Sequence, residues 1–295
     1  MNSTVRIAWS FLTALTLSAC AATLPSQPVE MKESARLNLK GGKAMTTGDY
    51  LRALDLSRAA GARALAIDRV DEAVDELINQ GVILRRLDRR KEALEAVETG
   101  WRLIADDRAM DYKDSDEMDY DDELVRLAIL GADLALDAGD VPGADRWLKG
   151  GAMACGGCDS AGAFLNLRAR QKWLLDAPAE AVALAREGVA VNRQKGNRLE
   201  EGHSLRLLGR WEDDPAKARD HFMTALAIDR SLAVPSLIAD DLVGVGESLR
   251  RLGKEDEARR YIVRARAIAS ATGDAKRISI CDALLGSDST PSPKE

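Results

Sequence analysis

The sequence predicts an all-α fold, an elongated stack of helical hairpins, and three observations carry that expectation. Aromatics make up 4% of the 295 residues and prolines number eight, while long stretches are rich in Ala, Leu, Arg and Glu, a composition that favours helix over sheet. No run of alternating apolar residues rich in valine, isoleucine or threonine marks a strand. Small residues return in a fixed register six times between residues 34 and 285. The length would permit two domains or one solenoid, and the register favours the solenoid.

The N-terminus reads first. A lone Arg6 leads into Ile7–Leu17, an uncharged run too short to span a bilayer as a stable helix. Leu17-Ser18-Ala19-Cys20 closes it, with small residues immediately before the cysteine. This order resembles a bacterial lipoprotein signal. The resemblance implies that residues 1–19 are removed and that Cys20 becomes the lipidated first residue, carrying palmitate-type acyl chains. Ala21 follows in place of aspartate, which implies the outer membrane, facing the periplasm. At roughly 0.8 kcal/mol per buried methylene, more than one acyl chain anchors a protein effectively permanently. Loss of Arg6 takes the net charge from −6 to about −7, a poor match for nucleic acid or an anionic membrane surface. Residues 20–33, with Pro25 and Pro28, read as an extended tether. Its twelve or so residues reach roughly 40 Å at most.

The repeat follows. Leu84-Arg85-Arg86-Leu87 leads to Glu92-Ala93 just as Leu249-Arg250-Arg251-Leu252 leads to Glu257-Ala258. The register gives Ala53, Ala93, Ala144, Ala181, Ala218 and Ala258, spaced by 40, 51, 37, 37 and 40 residues. Seven residues after each lies Ala60, Gly100, Gly151, Gly188, Ala225 or Ala265. Twelve before lies Gly41, Gly81, Ala132, Ala169, Arg206 or Gly246, where only Arg206 breaks the small-residue rule. Two helices joined by a tight turn approach closely only where side chains are small, and larger apolar residues fill between neighbouring pairs. Gly48-Asp49-Tyr50, Gly139-Asp140-Val141 and Gly253-Lys254-Glu255 supply the turns. Two units are degenerate: the fourth places Arg168 and Lys172 where apolar residues are expected, and the fifth puts Leu208-Gly209 out of step.

With these motifs the chain resembles the tetratricopeptide repeat family over about residues 34–285, including its Gly-Asp-Tyr turn. The resemblance implies a right-handed α-solenoid of hairpins whose first helices face a concave groove, where partners are extended peptides or helices. The spacing of 37–40 exceeds the family's standard 34, implying longer helices or turns. The tail 286–295 has nothing apolar to bury and reads as disordered.

Two segments interrupt the pattern. Asp106–Glu123 carries ten carboxylates against Arg108 and Lys113 and accounts for the long spacing of 51 as an insertion. Asp114, Asp116 and Asp119 come near a calcium-loop spacing without its glycine or closing glutamate, so a solvated loop before a helix start is the expectation. Cys155-Gly156-Gly157-Cys158 lies between the third and fourth units. Asp159 stands where haem attachment needs histidine, and zinc would need ligands beyond Cys281, His203 and His221. A disulfide pinning the turn is the expected state in an oxidising periplasm, with a redox-active pair as the alternative. Cys281 reads as a small buried hydrophobe.

Catalytic groups are scarce. Gly202-His203-Ser204 lacks the closing glycine of a nucleophile elbow, Gly41-Gly42-Lys43 lacks the rest of a phosphate loop, and no strand precedes Gly244-Val245-Gly246. The expectation is a non-enzymatic adaptor with no cofactor and no metal. Arg85, Arg210 and Arg250 share one position of the first helix in three units. Arginines stacked there could pair bidentately with carboxylates of a partner. Ile78, Val82, Asn166, Arg170, Trp173, His203, Val243 and Glu247 would line the same surface. The function read from the sequence is thus a membrane-anchored scaffold holding an envelope protein or peptide. The alternative is a periplasmic redox or enzymatic protein built on Cys155 and Cys158. Replacing Cys20→Ser should release the processed protein into the soluble fraction on cell fractionation; retention in the membrane would overturn the anchor.

Overall fold

A computed structural model describes residues 29–110 and 119–286. The signal segment, Cys20, the tether up to Pro28, Asp114 and Asp116 of the insertion, and residues 287–295 lie outside the described residues. Thirteen helices occupy the described chain: α1 (Val29–Thr46), α2 (Tyr50–Leu65), α3 (Val70–Arg86), α4 (Arg90–Ala109), α5 (Asp121–Asp137), α6 (Val141–Ala154), α7 (Ala161–Leu174), α8 (Pro178–Lys195), α9 (Arg198–Trp211), α10 (Pro215–Leu232), α11 (Pro235–Arg251), α12 (Glu255–Thr272) and α13 (Ala275–Gly286). They pack as six consecutive hairpins, and α13 lies against α12 at the end of the stack. Helix begins at Val29, so residues 29–33 extend α1 and are not part of a tether.

The small-residue columns set the packing. Ala53, Ala93, Ala144, Ala181, Ala218 and Ala258 have no exposed surface at all (0%). Four residues on, Ser57, Val97, Leu148, Ala185, Phe222 and Ile262 are all buried as well. The approach is tight: a Cβ on Gly246 would stand 2.7 Å from the Ile262 side chain, and one on Gly131 would stand 2.5 Å from the Trp147 ring. Phe222 is held between two backbones, since a Cβ on Gly209 or Gly244 would meet its ring at 2.8 or 2.5 Å. The glycine that looked out of step in the fifth unit is therefore one half of a clasp around an aromatic ring.

Most turns use one device. The backbone N–H groups of Asp49, Arg69, Arg89, Asp140, Ala177, Asn197, Val234, Lys254 and Asp274 each donate to a carbonyl five residues earlier, at 2.8–3.2 Å. That bond closes a Schellman cap and needs a left-handed residue just before it. Glycine fills that place at Gly48, Gly139, Gly196, Gly253 and Gly273, aspartate fills it at Asp68, Asp88 and Asp176, and alanine at Ala233. Aspartate tolerates the left-handed region better than most side chains. Asp49, Asp140, Asn197 and Asp214 then cap the following helices by accepting backbone N–H bonds.

Curvature has a readable direction. Successive odd-numbered helices from α3 to α11 touch one another, whereas the even-numbered helices meet chiefly their own hairpin partners and the next odd helix. The odd helices therefore line the concave side. Two junctions are thin. The insertion separates α4 from α5, and its ends are tied by Tyr120, whose hydroxyl donates to Asp107 at 2.7 Å, and by Arg108 with Asp121 at 3.2 Å. At α6–α7, Arg168 and Lys172 face a crevice of about 440 Å3 beside Asp145, Lys149 and Glu180. The polar residues that made the fourth unit look degenerate thus belong to the loosely packed junction. Cys155 and Cys158 are joined by a disulfide in its turn, with Cα atoms 4.9 Å apart.

Ala258→Leu should overpack the α11–α12 crossing and cost about 1–3 kcal/mol in thermal or urea unfolding. An unchanged melting curve would count against the register.

Candidate functional site

The concave face is built from the inner sides of α3, α5, α7, α9, α11 and α13. Polar pairs stitch each of these helices to the next. Between α1 and α3, Asn38 Nδ2 donates to Glu76 Oε1 at 2.6 Å. Between α3, α5 and α7, Arg85 reaches Asp133 at 2.5 Å and Asp137 at 3.0 Å, while Arg170 pairs with the same two carboxylates from the other side, Asp137 at 2.7 Å. Burial opposes the charge of Asp137, but Arg85 and Arg170 outweigh it and hold its carboxyl below the usual range. Between α7 and α9, Asn166 Nδ2 donates to Glu200 Oε2 at 2.9 Å and Ser204 Oγ donates to Asn166 Oδ1 at 2.6 Å. Between α11 and α13, Arg277 grips Asp240 with two donors at 2.7 and 2.8 Å.

The link between α9 and α11 explains the one large residue in the small-residue column. Arg206 is buried at 5% exposure and pairs with Asp229 of α10 and, at 3.5 Å, with Asp241 of α11. Both carboxylates are at 0% exposure. A Cβ on Gly202 would crowd Asp229 at 3.2 Å, so that glycine makes room for the pair. One guanidinium faces two buried carboxylates, and Asp229 Oδ1 and both Asp241 oxygens accept no hydrogen bond. Burial, reinforced by the neighbouring Asp229, pushes the Asp241 carboxyl well above the ordinary range against the pull of Arg206. That shift favours a proton on Asp241 near neutral pH, which would balance the cluster.

His203 stands in this charged field. Burial first, then Arg206, Arg170, Arg210 and Arg85, push its imidazole down to about 3. Its Nδ1 lies 3.8 Å from Glu200, whose own carboxyl is raised by burial. Near neutral pH the ring is thus an uncharged hydrogen-bonding group. Trp173 stacks on Trp211 with ring centroids 4.8 Å apart and planes 9° from parallel, yet remains 40% exposed.

The expected groove residues divide. Val82, Arg170, His203, Val243 and Arg250 are half-buried on inner helices, while Arg85, Trp173, Arg210 and Glu247 are exposed there. Ile78 and Asn166 are corrections to the expected lining: Ile78 packs into the core and Asn166 is consumed by Glu200 and Ser204, so neither offers surface to a partner. The arginine stripe also divides. Arg85 is committed to Asp133 and Asp137, and Arg250 to Glu255 at 3.1 Å and the Leu284 carbonyl at 2.8 Å. Among the described residues, no group of three His, Cys, Asp or Glu side chains could hold a metal ion. No described helix is long and apolar enough to cross a membrane.

Comparison with solved structures agrees with this geometry. BtubC (BKLC) from P. vanneervenii superposes with a TM-score of 0.52 at 15% identity, covering 91% of this chain and 96% of its own. A Signal Transduction ATPase with Numerous Domains protein with a tetratricopeptide repeat sensor, from Pyrococcus horikoshii, gives 0.50 at 14% identity. That match covers 85% of this chain and 42% of the other. The chain has a tetratricopeptide-like helical-repeat fold. A tetratricopeptide repeat protein from Parabacteroides merdae matches at a TM-score of 0.40 and 15% identity, covering 82% of this chain and 97% of its own. No protein-family model matches the chain, and no curated protein matches it in sequence.

The site residues that sequence reasoning missed are the carboxylates. Asp133 and Arg170 are 37 residues apart, as are Asp240 and Arg277, the interval that separates Ala144 from Ala181 and Ala181 from Ala218. Opposite charges at the repeat spacing are the signal that would have found them.

Asp241→Asn tests the buried cluster of the tetratricopeptide-like solenoid. A folded-state pKa raised above the unfolded value gives stability that is full below the unfolded carboxylate range and is lost as pH rises through the raised value. The wild type should therefore lose stability relative to Asp241→Asn as pH climbs from about 4 to about 9. Parallel unfolding profiles over that interval would show that Asp241 carries no retained proton.

Proposed function

We propose that this protein is a lipid-anchored, non-catalytic scaffold of the bacterial envelope, holding a protein or peptide partner along its concave face. The tetratricopeptide-like fold supports protein–protein interaction as its general use, though fold alone does not choose a partner. The observation that carries the reading is the row formed on α7, α9 and α11 by three exposed side chains and the half-buried His203. Trp173, His203, Arg210 and Glu247 present an aromatic face, a neutral imidazole, a cation and an anion along one inner surface. Such a mixture suits an extended chain, which offers alternating apolar and polar contacts, more than a flat apolar partner surface.

The lipid and the short N-terminal segment complete the proposal. Acylation of Cys20 would fix the protein at the periplasmic face of the outer membrane. Eight residues lie between Cys20 and Val29, where the described helix α1 starts, and a chain of that length reaches roughly 30 Å at most. The groove would then work within a domain's width of the bilayer. A photo-crosslinking amino acid at Val82 or Val243, on inner helices, should capture a specific envelope partner in cells. The same probe at Val263, exposed on α12, should not. Capture from Val263 alone, or from none of the three, would overturn the concave-face reading.

A further inference from the structure

Charge is not spread evenly along this chain. As a whole it holds 42 lysines and arginines against 48 carboxylates, yet the first hairpin, residues 29–65, holds seven against four. Four of the seven lie on α1, at Lys32, Arg36, Lys40 and Lys43. At about 100° of rotation per residue, those four positions fall within an arc of about 80° on one side of the helix. Opposite them lie Ser34 and Gly41, which α1 buries; a Cβ on Gly41 would meet Leu56 of α2 at 3.6 Å. The cations therefore face away from α2, and all four are exposed.

The arc holds no carboxylate. Glu33 sits at its edge and accepts from Arg36 at 2.6 Å, and Glu30 lies farther round the helix. The ammonium groups of Lys32, Lys40 and Lys43 form no ion pair among the described residues. Apolar side chains stand between the cations: Leu39 is 77% exposed and Val29 76%, with the exposed Ala35 beside them. Apolar tips ringed by long cationic side chains suit a lipid–water boundary, where the tips enter the headgroup layer and the charges stay at its surface.

We propose that the outer face of α1 is a docking surface for an anionic phospholipid bilayer, with Lys32, Arg36, Lys40 and Lys43 meeting lipid phosphates while Leu39 and Val29 enter the headgroup layer. The proposal rests on the lipid-anchor reading for its placement. Eight residues between Cys20 and Val29 keep the start of α1 within roughly 30 Å of acyl chains on Cys20. The acidic balance of the whole chain does not prevent contact at this one face. Charges are felt over only about 8 Å at physiological salt, and the carboxylates of later hairpins lie behind a helix about 10 Å thick. A second copy fits worse, because a two-fold dimer through this face would set like charges against each other. Acyl chains would fix how long the protein stays on the membrane, and the α1 face would fix which side of it meets the lipid.

The test uses the chain from Cys20 onward carrying Cys20→Ser, so that no acyl chain contributes. It is mixed with vesicles of phosphatidylcholine alone or with about one-third phosphatidylglycerol. Co-sedimentation should occur with the anionic vesicles only. It should be lost as salt rises from about 0.1 M to about 1 M and the screening length shrinks from about 10 Å to about 3 Å. Lys32→Gln, Lys40→Gln and Lys43→Gln combined should lower partitioning about a hundredfold, at roughly fivefold per cation, with helical circular dichroism unchanged. Arg at the same three positions should preserve binding. Leu39→Gln alone should weaken it, a readout that does not depend on the triple variant folding. As a control, Arg186→Gln, Arg260→Gln and Arg264→Gln, at exposed positions of α8 and α12, should leave binding intact. Equal sedimentation with neutral vesicles, binding that survives the α1 triple change, or an equal loss from the control would each overturn the docking face. A dimer seen by analytical ultracentrifugation and dissolved by the α1 change, without vesicle binding, would overturn it in favour of a second copy. No vesicle binding by the Cys20→Ser chain, with the wild type still in the membrane fraction, would sink the docking face and leave the anchor standing. Vesicle binding through α1, with Cys20 of the native protein found unacylated by mass spectrometry, would sink the anchor and leave the docking face.

Discussion

The structure depends on how closely one helix can lie against the next. An alanine or glycine at the crossing lets two backbones approach, and the side chain four residues on then has a defined volume to fill. Ile262 against Gly246 and Phe222 between Gly209 and Gly244 are two solutions to that one geometric problem. Arg206 is the informative exception. A long charged side chain in the close-approach column is tolerated because Gly202 withdraws and two carboxylates meet it. Removing Arg206 would strand its buried carboxylates without a counter-charge, at a cost of about 3–5 kcal/mol for a broken buried pair, and the cluster it centres spans the fifth and sixth hairpins.

Legibility in the sequence followed the physics of each signal. The hairpin register was readable because alanine and glycine are there for a steric reason that tolerates few alternatives, and every register alanine is fully buried. The turns were half readable. Glycine announces a left-handed residue, but Asp68, Asp88 and Asp176 do the same work and look like any other polar residue. The groove was the least readable part. Position alone put Arg85, Arg210 and Arg250 on the first helix of their hairpins, yet it could not say that the first and third are answered by the protein's own groups. Asn166 shows the same limit, since its buried partners Glu200 and Ser204 come from the next hairpin.

Charge on the inner face is therefore arranged more than accumulated. The chain is acidic overall, but along the concave side guanidiniums and carboxylates interlock from one hairpin to the next. Partly exposed pairs of this kind contribute little individually to stability. They do fix the register of neighbouring helices, and they determine which charges remain for other molecules. Most of the inner arginines are spoken for. Arg210 makes no ion pair among the described residues, and its charge acts on Glu247 of α11.

The two thin junctions on either side of the α5–α6 hairpin bear on mechanics. In a stacked array each unit is held by its neighbours, so cooperativity passes along the molecule through the interfaces between hairpins. Where α4 meets α5 and where α6 meets α7, the packing between hairpins is much sparser than at the other three junctions. A bend that opens the outer side disturbs least at those two places. The solenoid is then two stiffer arms joined through a compliant central hairpin, an articulated stack whose span can change without unfolding either arm.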